Sequence, residues 1–288
     1  MQLRNGVVAL AGGLFAASLT ECTTTAAMPG VLPQPRSGAH SITMRTGWSA
    51  VVSADRRDSV LVTVGPGTTQ LQEFNEHATF SLSVARDGTI LIRLDSLSPE
   101  AGSPPGGDVK GTVWRSRISD LASGTLAITT GTAAAARYTD LVARILPRIT
   151  SRVVTAACHW RDSATVPARV DGFQGSERRW GKWSTGGPLG TGKITIDDDE
   201  AFEQIAGGEI SGQQMSMTAQ GRRSATYYLN AAGIFDRANL RDSSAVLVSV
   251  PESHRLVPAT RYSDVVLRFS ITSDKPSDLA TVAPRRQK

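Results

Sequence analysis

Apolar and polar residues alternate along much of the chain. His40, Ile42, Met44, Thr46, Trp48, Ala50 and Val52 fall on one face, and Ser41, Thr43, Arg45 and Ser49 on the other. This period of two predicts a half-buried strand. Val60, Val62 and Val64 repeat it until Gly65-Pro66-Gly67 turns the chain. Phe80, Leu82 and Val84 alternate next. Arg86-Asp87-Gly88-Thr89 then reads as a hairpin turn into Ile90, Ile92 and Leu94. Shorter strands are predicted near 111–118 and 124–130, and after Val153 near 166–174, 177–184, 192–197, 201–206 and 208–219. Ala225-Thr226-Tyr227-Tyr228-Leu229 turns through Asn230-Ala231-Ala232-Gly233 into Ile234-Phe235. Val246, Val248 and Val250 follow, and Val265, Leu267, Phe269 and Ile271 close the pattern. No helix of crossover length separates the strands, so the sheet is expected to be antiparallel.

One segment breaks the period. Across AAAARYTDLVARILPRI, Tyr138, Leu141, Val142, Ile145 and Leu146 fall on one stripe, with Arg137, Asp140 and Arg144 off it. That spacing predicts an amphipathic helix over about 134–147, ended by Pro147. The predicted fold is mainly β (α+β): a curved, half-barrel-like antiparallel sheet with this helix against its concave face.

The N-terminal segment differs in kind. Arg4 precedes an uncharged apolar run from Gly6 to Leu19, too short for a comfortable membrane span. It reads as an export signal, residues 1–27. Leu19-Thr20-Glu21-Cys22 resembles a lipobox, with Cys22 as the lipidated residue, although Glu21 stands where a small residue is usual. Cleavage after Ala26 or Ala27 is the alternative. Lipidation is preferred, and it predicts a periplasmic or outer-membrane-associated bacterial lipoprotein. Residues 28–38, rich in Pro and Gly, read as a flexible linker. Residues 39–272 read as one β-rich domain in two halves, 39–150 and 151–272, and 273–288 as a frayed tail.

Composition narrows the chemistry. The chain has 288 residues and two cysteines, Cys22 and Cys158, which excludes a disulfide-rich scaffold and a cysteine zinc cluster. Lipidation of Cys22 leaves Cys158 an unpaired thiol, whereas an unlipidated exported chain could bridge the two. The net charge of +5 is dispersed, so no nucleic-acid partner is expected.

The motifs carry little catalysis. In GPLGTGKIT, Gly187, Gly192 and Lys193 fit a phosphate loop, but Ile194 stands where a Mg²⁺-binding hydroxyl belongs. The flanks lack the strand-then-helix context that aims a helix N-terminus at phosphate. A glycine-rich turn between strands is expected instead. Asp197-Asp198-Asp199-Glu200 lacks the alternate spacing and central Gly of a calcium loop and reads as a solvated acidic turn. Arg178, Arg179 and Lys182 interleave with Trp180 and Trp183. On a strand, Trp180 shares a face with Lys182, and Arg179 with Trp183. The tryptophans then read as core anchors and the cations as a solvated face. His40, His77, His159 and His254 are the only histidines, and no nucleophile-elbow or zinc-protease pattern accompanies them. The expectation is a non-catalytic protein with no cofactor, no metal site and no nucleotide site.

Two motifs suggest relatives. Ala157-Cys158-His159-Trp160-Arg161-Asp162 keeps the Trp and Asp of a Gly-Asp-x-Trp-x-Asp motif. Thr226-Tyr227-Tyr228-Leu229-Asn230 with Gly233 matches a Thr-Tyr-Tyr-apolar-Asp hairpin with Asn for Asp and one spacer fewer. The chain thereby resembles a group of uncharacterised exported bacterial proteins with no known activity. Their architecture is similar to the curved-sheet lipoprotein carriers of the LolA and LppX type. That likeness implies a lipid or other apolar small molecule held in a groove between helix and sheet, lined by Trp48, Phe80, Tyr138, Leu141, Val142 and Ile145. A ligand-free structural or protein-interaction component of the envelope is the alternative, and an enzyme of unknown type, with no assignable catalytic residues, ranks behind both. Membrane contact is expected through the N-terminal anchor.

Overall fold

The computed structural model describes residues 46–65, 67–99, 109–121, 126–131, 133–148, 159–170, 173–186, 194–210, 212–230, 234–251 and 255–273. The strands are β1 (Trp48–Gly65), β2 (Thr68–Val84), β3 (Thr89–Pro99), β4 (Val113–Arg117), β5 (Ala127–Thr130), β6 (His159–Val170), β7 (Phe173–Gly186), β8 (Ile194–Ile210), β9 (Gln213–Leu229), β10 (Phe235–Val250) and β11 (Arg255–Ser273). They form one 11-stranded sheet in the order β5-β4-β3-β2-β1-β11-β10-β9-β8-β7-β6. Neighbours run antiparallel throughout. The first and last strands meet in the middle, and the open edges belong to β5 and β6.

Local chemistry makes the hairpins. Between β2 and β3, Gly88 takes φ +79°, and the Asp87 carboxylate accepts from the Thr89 N–H at 2.9 Å and the Thr89 hydroxyl at 3.0 Å. A side chain that bonds the backbone two residues on fixes such a turn. Between β9 and β10, the Asn230 side chain plays the same part, accepting from the Ile234 N–H at 3.1 Å.

The connection from β5 to β6 crosses the inner face of the sheet. Here the structure corrects the sequence reading. Ala133–Tyr138 is a 3-10 turn, and only Thr139–Val142, here α1, is α-helical. The Ala143 N–H still bonds the Thr139 carbonyl, but Arg144 and Ile145 tighten to Leu141 and Val142. The carbonyl of Arg144 accepts from the Tyr227 hydroxyl at 2.9 Å, a bond to the sheet in place of a helical one. The apolar stripe is buried as expected, and so are Arg144 and Arg148. An amphipathic helix needs a wet polar side. This segment buries Arg144 and Arg148 instead, and its backbone bends to bring them to partners on the sheet.

The main core fills the space between this strap, residues 133–148, and the proximal half of the strands. It contains Trp48, Ala50 and Val52 of β1, Phe80 and Leu82 of β2, Tyr227 of β9, Leu267 of β11, and Tyr138, Leu141, Val142, Ile145 and Leu146 of the strap.

Candidate functional site

The six residues expected to line a groove come together. Trp48, Phe80, Tyr138, Leu141, Val142 and Ile145 all lie in the main core, the most exposed of them only 7% accessible. The strap's own side chains fill the space that a ligand would take. Polar contacts seat it: the Tyr138 hydroxyl donates to Glu76 at 2.7 Å and the Trp114 indole to Thr139 at 3.3 Å. Burial, followed by the carboxylate of Glu76, raises the Tyr138 phenol above its ordinary range.

A band of buried charge borders this core. Strand register builds it as a row across the inner face: Asp58 on β1 lies opposite Ser263, Ser263 opposite Asp242, Asp242 opposite Arg223, and Arg223 opposite Glu200. The strap supplies the complementary layer. Arg144 donates to the Asp242 carboxylate and, at 3.2 Å, to the Ser224 carbonyl. Arg148 reaches both oxygens of Glu200, at 3.0 and 3.2 Å. Arg223 makes a two-pronged pair with Glu177 at 2.6 and 2.8 Å, faces Asp140 at 3.6 Å, and lies 4.0 Å from the centre of the Phe202 ring. Farther along the band, Arg56 and Arg261 share Asp58. Burial by itself would favour a neutral Arg144, but Asp242 and Asp140 outweigh it and hold the guanidinium firmly charged.

Asp198 is the exception. It points to the same side as Glu200, and its Oδ1 has no hydrogen-bond partner among the described residues. Burial, then the neighbouring Glu200, push its carboxyl up to about 8. A buried acid beside an ionised one keeps its proton, because two adjacent carboxylates repel in a medium of low dielectric. Close by, a water-sized space is lined by Arg148, Asp162, Arg179, Trp183 and Glu200.

Beyond the charged band the inner face becomes apolar again. Phe173, Ala206 and Met217 form a second, smaller cluster, with Met215, Val246 and Val248 half-buried against it. Val60, Val62, Val64 and Val257 continue this surface, also half-buried. The inner face therefore has a closed apolar end, a charged middle and a partly open apolar end.

Other expectations fare differently. Asp197–Glu200 is no turn: it lies inside β8, with Asp198 and Glu200 buried inward and Asp199 exposed. Arg179 and Trp183 are both buried on the inner face, whereas Trp180 is exposed beneath Arg178. The arginine read as solvated is thus inside, and one tryptophan read as core is outside. Residues 187–193 of GPLGTGKIT fall outside the described residues, as do Cys22 and Cys158. β7 ends before that stretch and β8 begins after it, with Gly186 paired to Thr195. A strand, not a helix, therefore starts at Ile194. No group of three or more His, Cys, Asp or Glu side chains among the described residues is arranged to hold a metal ion.

Arg148, Arg223, Glu177 and Asp242 are not singled out by the sequence, and Arg144 reads there only as the polar side of a helix. The available signal was parity: once 194–210 is one strand, Ile196, Asp198, Glu200 and Phe202 must share a face.

No family model matches the chain, and no curated protein matches it. Among solved structures, a LolA-superfamily protein from Nitrosomonas europaea aligns at 8% identity over 83% of this chain and 91% of its own, with a TM-score of 0.20. A loop-deletion mutant of OmpT, an outer membrane protein of Vibrio cholerae, aligns at 8% identity over 77% of this chain and 99% of its own, with a TM-score of 0.20. A DUF1329 family protein from Desulfovibrio piger aligns at 11% identity over 79% of this chain and 85% of its own, with a TM-score of 0.12. Overlaps this loose carry neither fold nor activity across.

Proposed function

We propose that this is an exported, envelope-tethered, non-catalytic protein that holds an apolar small molecule or lipid on the inner face of its open sheet. One observation carries the reading. Past the charged band, Val60, Val62, Val64, Val246, Val248, Val257 and Met215 make an apolar surface that the described residues only half cover. Concave apolar surface beside a few fixed polar groups is what small-molecule sites are made of. A ligand seated there lies against valine and methionine, and methionine adapts to irregular shapes. Deeper access, to Trp48 and Phe80, requires the strap to move aside.

The test is native mass spectrometry of protein purified from the exporting cell, followed by organic extraction. The expected result is an additional mass that moves into the organic phase. A bare polypeptide mass from several preparations would sink the proposal. The filled core under the strap favours a second reading, a ligand-free structural component of the envelope, and that bare mass is what it predicts. The tether is tested separately. Palmitate labelling and globomycin sensitivity should both depend on Cys22, and normal processing of Cys22→Ser would remove the lipoprotein assignment.

A further inference from the structure

The outer face of the sheet carries its own chemistry. Side chains alternate along a strand, so the residues that flank the buried charged band on β9, β10 and β11 point outward. They surround a hollow of about 420 Å³, lined by Asp199, Arg222, Arg241, Ser243, Tyr262 and Asp264. Small-molecule sites span about 300–1,000 Å³. Arg223, Asp242 and Ser263, the intervening residues of the band, back the hollow.

Strand register accounts for its shape. Tyr262 lies opposite Ser243, Ser243 opposite Arg222, Arg222 opposite Ala201, and Ala201 opposite Trp180. This row, from β11 to β7, alternates large and small side chains, and Ser243 and Ala201 leave room between the large ones. Both aromatic ends are exposed, Tyr262 by 54% and Trp180 by 42%. At the usual spacing of strands they stand about 19 Å apart. The outward charges of the hollow balance. Arg241 pairs with Asp264 at 3.2 Å, and both remain widely exposed. Arg222 and Asp199, also exposed, lie on a diagonal of β9 and β8.

We propose that this row binds a neutral oligosaccharide laid across the strands. The lining selects that class. A small anion would suit Arg222 and Arg241 but meets Asp199 and Asp264, and a cation meets the reverse. An apolar ligand would strip water from these charges without pairing them. Sugar hydroxyls both donate and accept, so one ring answers a carboxylate and a guanidinium together. The C–H face of a pyranose packs on an aromatic ring, and Tyr262 and Trp180 supply rings at the two ends of the row. Arg178, 5.9 Å from the Trp180 ring, adds a donor there. This site lies on the face opposite the apolar surface and does not depend on a ligand bound there.

Isothermal titration of the full exported chain with cellohexaose, chitohexaose and maltohexaose tests this. At least one should bind with a dissociation constant between about 10 μM and 1 mM. Tyr262→Ala and Trp180→Ala should each weaken that binding at least about tenfold. Tyr262→Phe, which keeps the ring, should stay within about threefold of the parent. Leu256→Ala, exposed but off the row, should bind as the parent does. These side chains are exposed, so the melting temperatures should coincide. The proposal is overturned if none of the three sugars binds at about 10 mM, or if Tyr262→Ala and Trp180→Ala bind as tightly as the parent. It is likewise overturned if dextran sulfate binds and the neutral sugars do not, since the arginines then serve an anion.

Discussion

Asp198 is a carboxyl group forced to keep its proton. In the unfolded chain it titrates near the ordinary aspartate value, and in the fold at about 8. Below pH 4 both states hold the proton and folding is not penalised. As pH rises from about 4 to 8 the unfolded state loses its proton and the folded state does not, so stability falls across that window. An asparagine at this position would mimic the protonated acid. Asp198→Asn should therefore leave the melting temperature nearly unchanged at pH 4. The variant should gain several kcal/mol over the parent by pH 8–9, up to about 5 kcal/mol if the whole displacement of the carboxyl is recovered. Calorimetry across that range checks it, and a gain independent of pH would contradict the account.

The buried pairs behave in the opposite manner. Arg223 and Glu177 are each only about 7% exposed at their side chains. Removing one partner strands the other charge in the interior. Glu177→Ala should cost roughly 3–5 kcal/mol in urea unfolding, while Glu177→Met with Arg223→Met should recover much of it.

At the level of elements, the strap shows how little intrinsic helicity matters when Arg144 and Arg148 must be buried along with the apolar stripe. It has one short α-helical turn and depends on the sheet for its shape. Ile145 is fully buried in it. Ile145→Ala should destabilise the fold by roughly 2–5 kcal/mol, and an isolated 133–148 peptide should show a coil-like circular dichroism spectrum. The sheet has its own points of close approach. A Cβ on Gly221 would stand 2.2 Å from the Ser243 carbonyl oxygen and 2.9 Å from the Phe202 ring. Gly221→Ala should lower stability by roughly 1–3 kcal/mol, read as a fall in the thermal midpoint. A neutral result would mean that β9 and β10 can part at little cost.

For the whole molecule, the chain order places β1 beside β11, so the sheet closes its middle only when the last strand is made. Its cohesion is mostly long-range in sequence, which predicts slow folding, with refolding after a denaturant jump taking milliseconds to seconds. Submillisecond refolding would contradict that. The same layout sets the two ends of the inner face apart. The end near Trp48 follows the N-terminal segment, and the half-buried apolar end lies one strand length away.

Alternation alone carried most of the sheet. Trp48, Ala50 and Val52, the Asp87-Gly88 turn, Tyr227 and the Val265-to-Ile271 run were legible, because a strand's period and a turn's backbone demands are properties of a few neighbouring residues. The core was legible for the same reason: Phe80, Leu141 and Ile145 had to be buried against something. The middle of the inner face was not. Asp198 and Glu200 read as solvated because acids are usually so, and Arg144 read as the wet side of a helix. Whether a charge meets water or a buried partner depends on which strands and which strap arrive opposite it. That is decided by contacts between Arg144 and Asp242, 98 residues apart, or between Arg148 and Glu200, 52 apart. Local periodicity says that a face exists, and only the tertiary fold says what faces it.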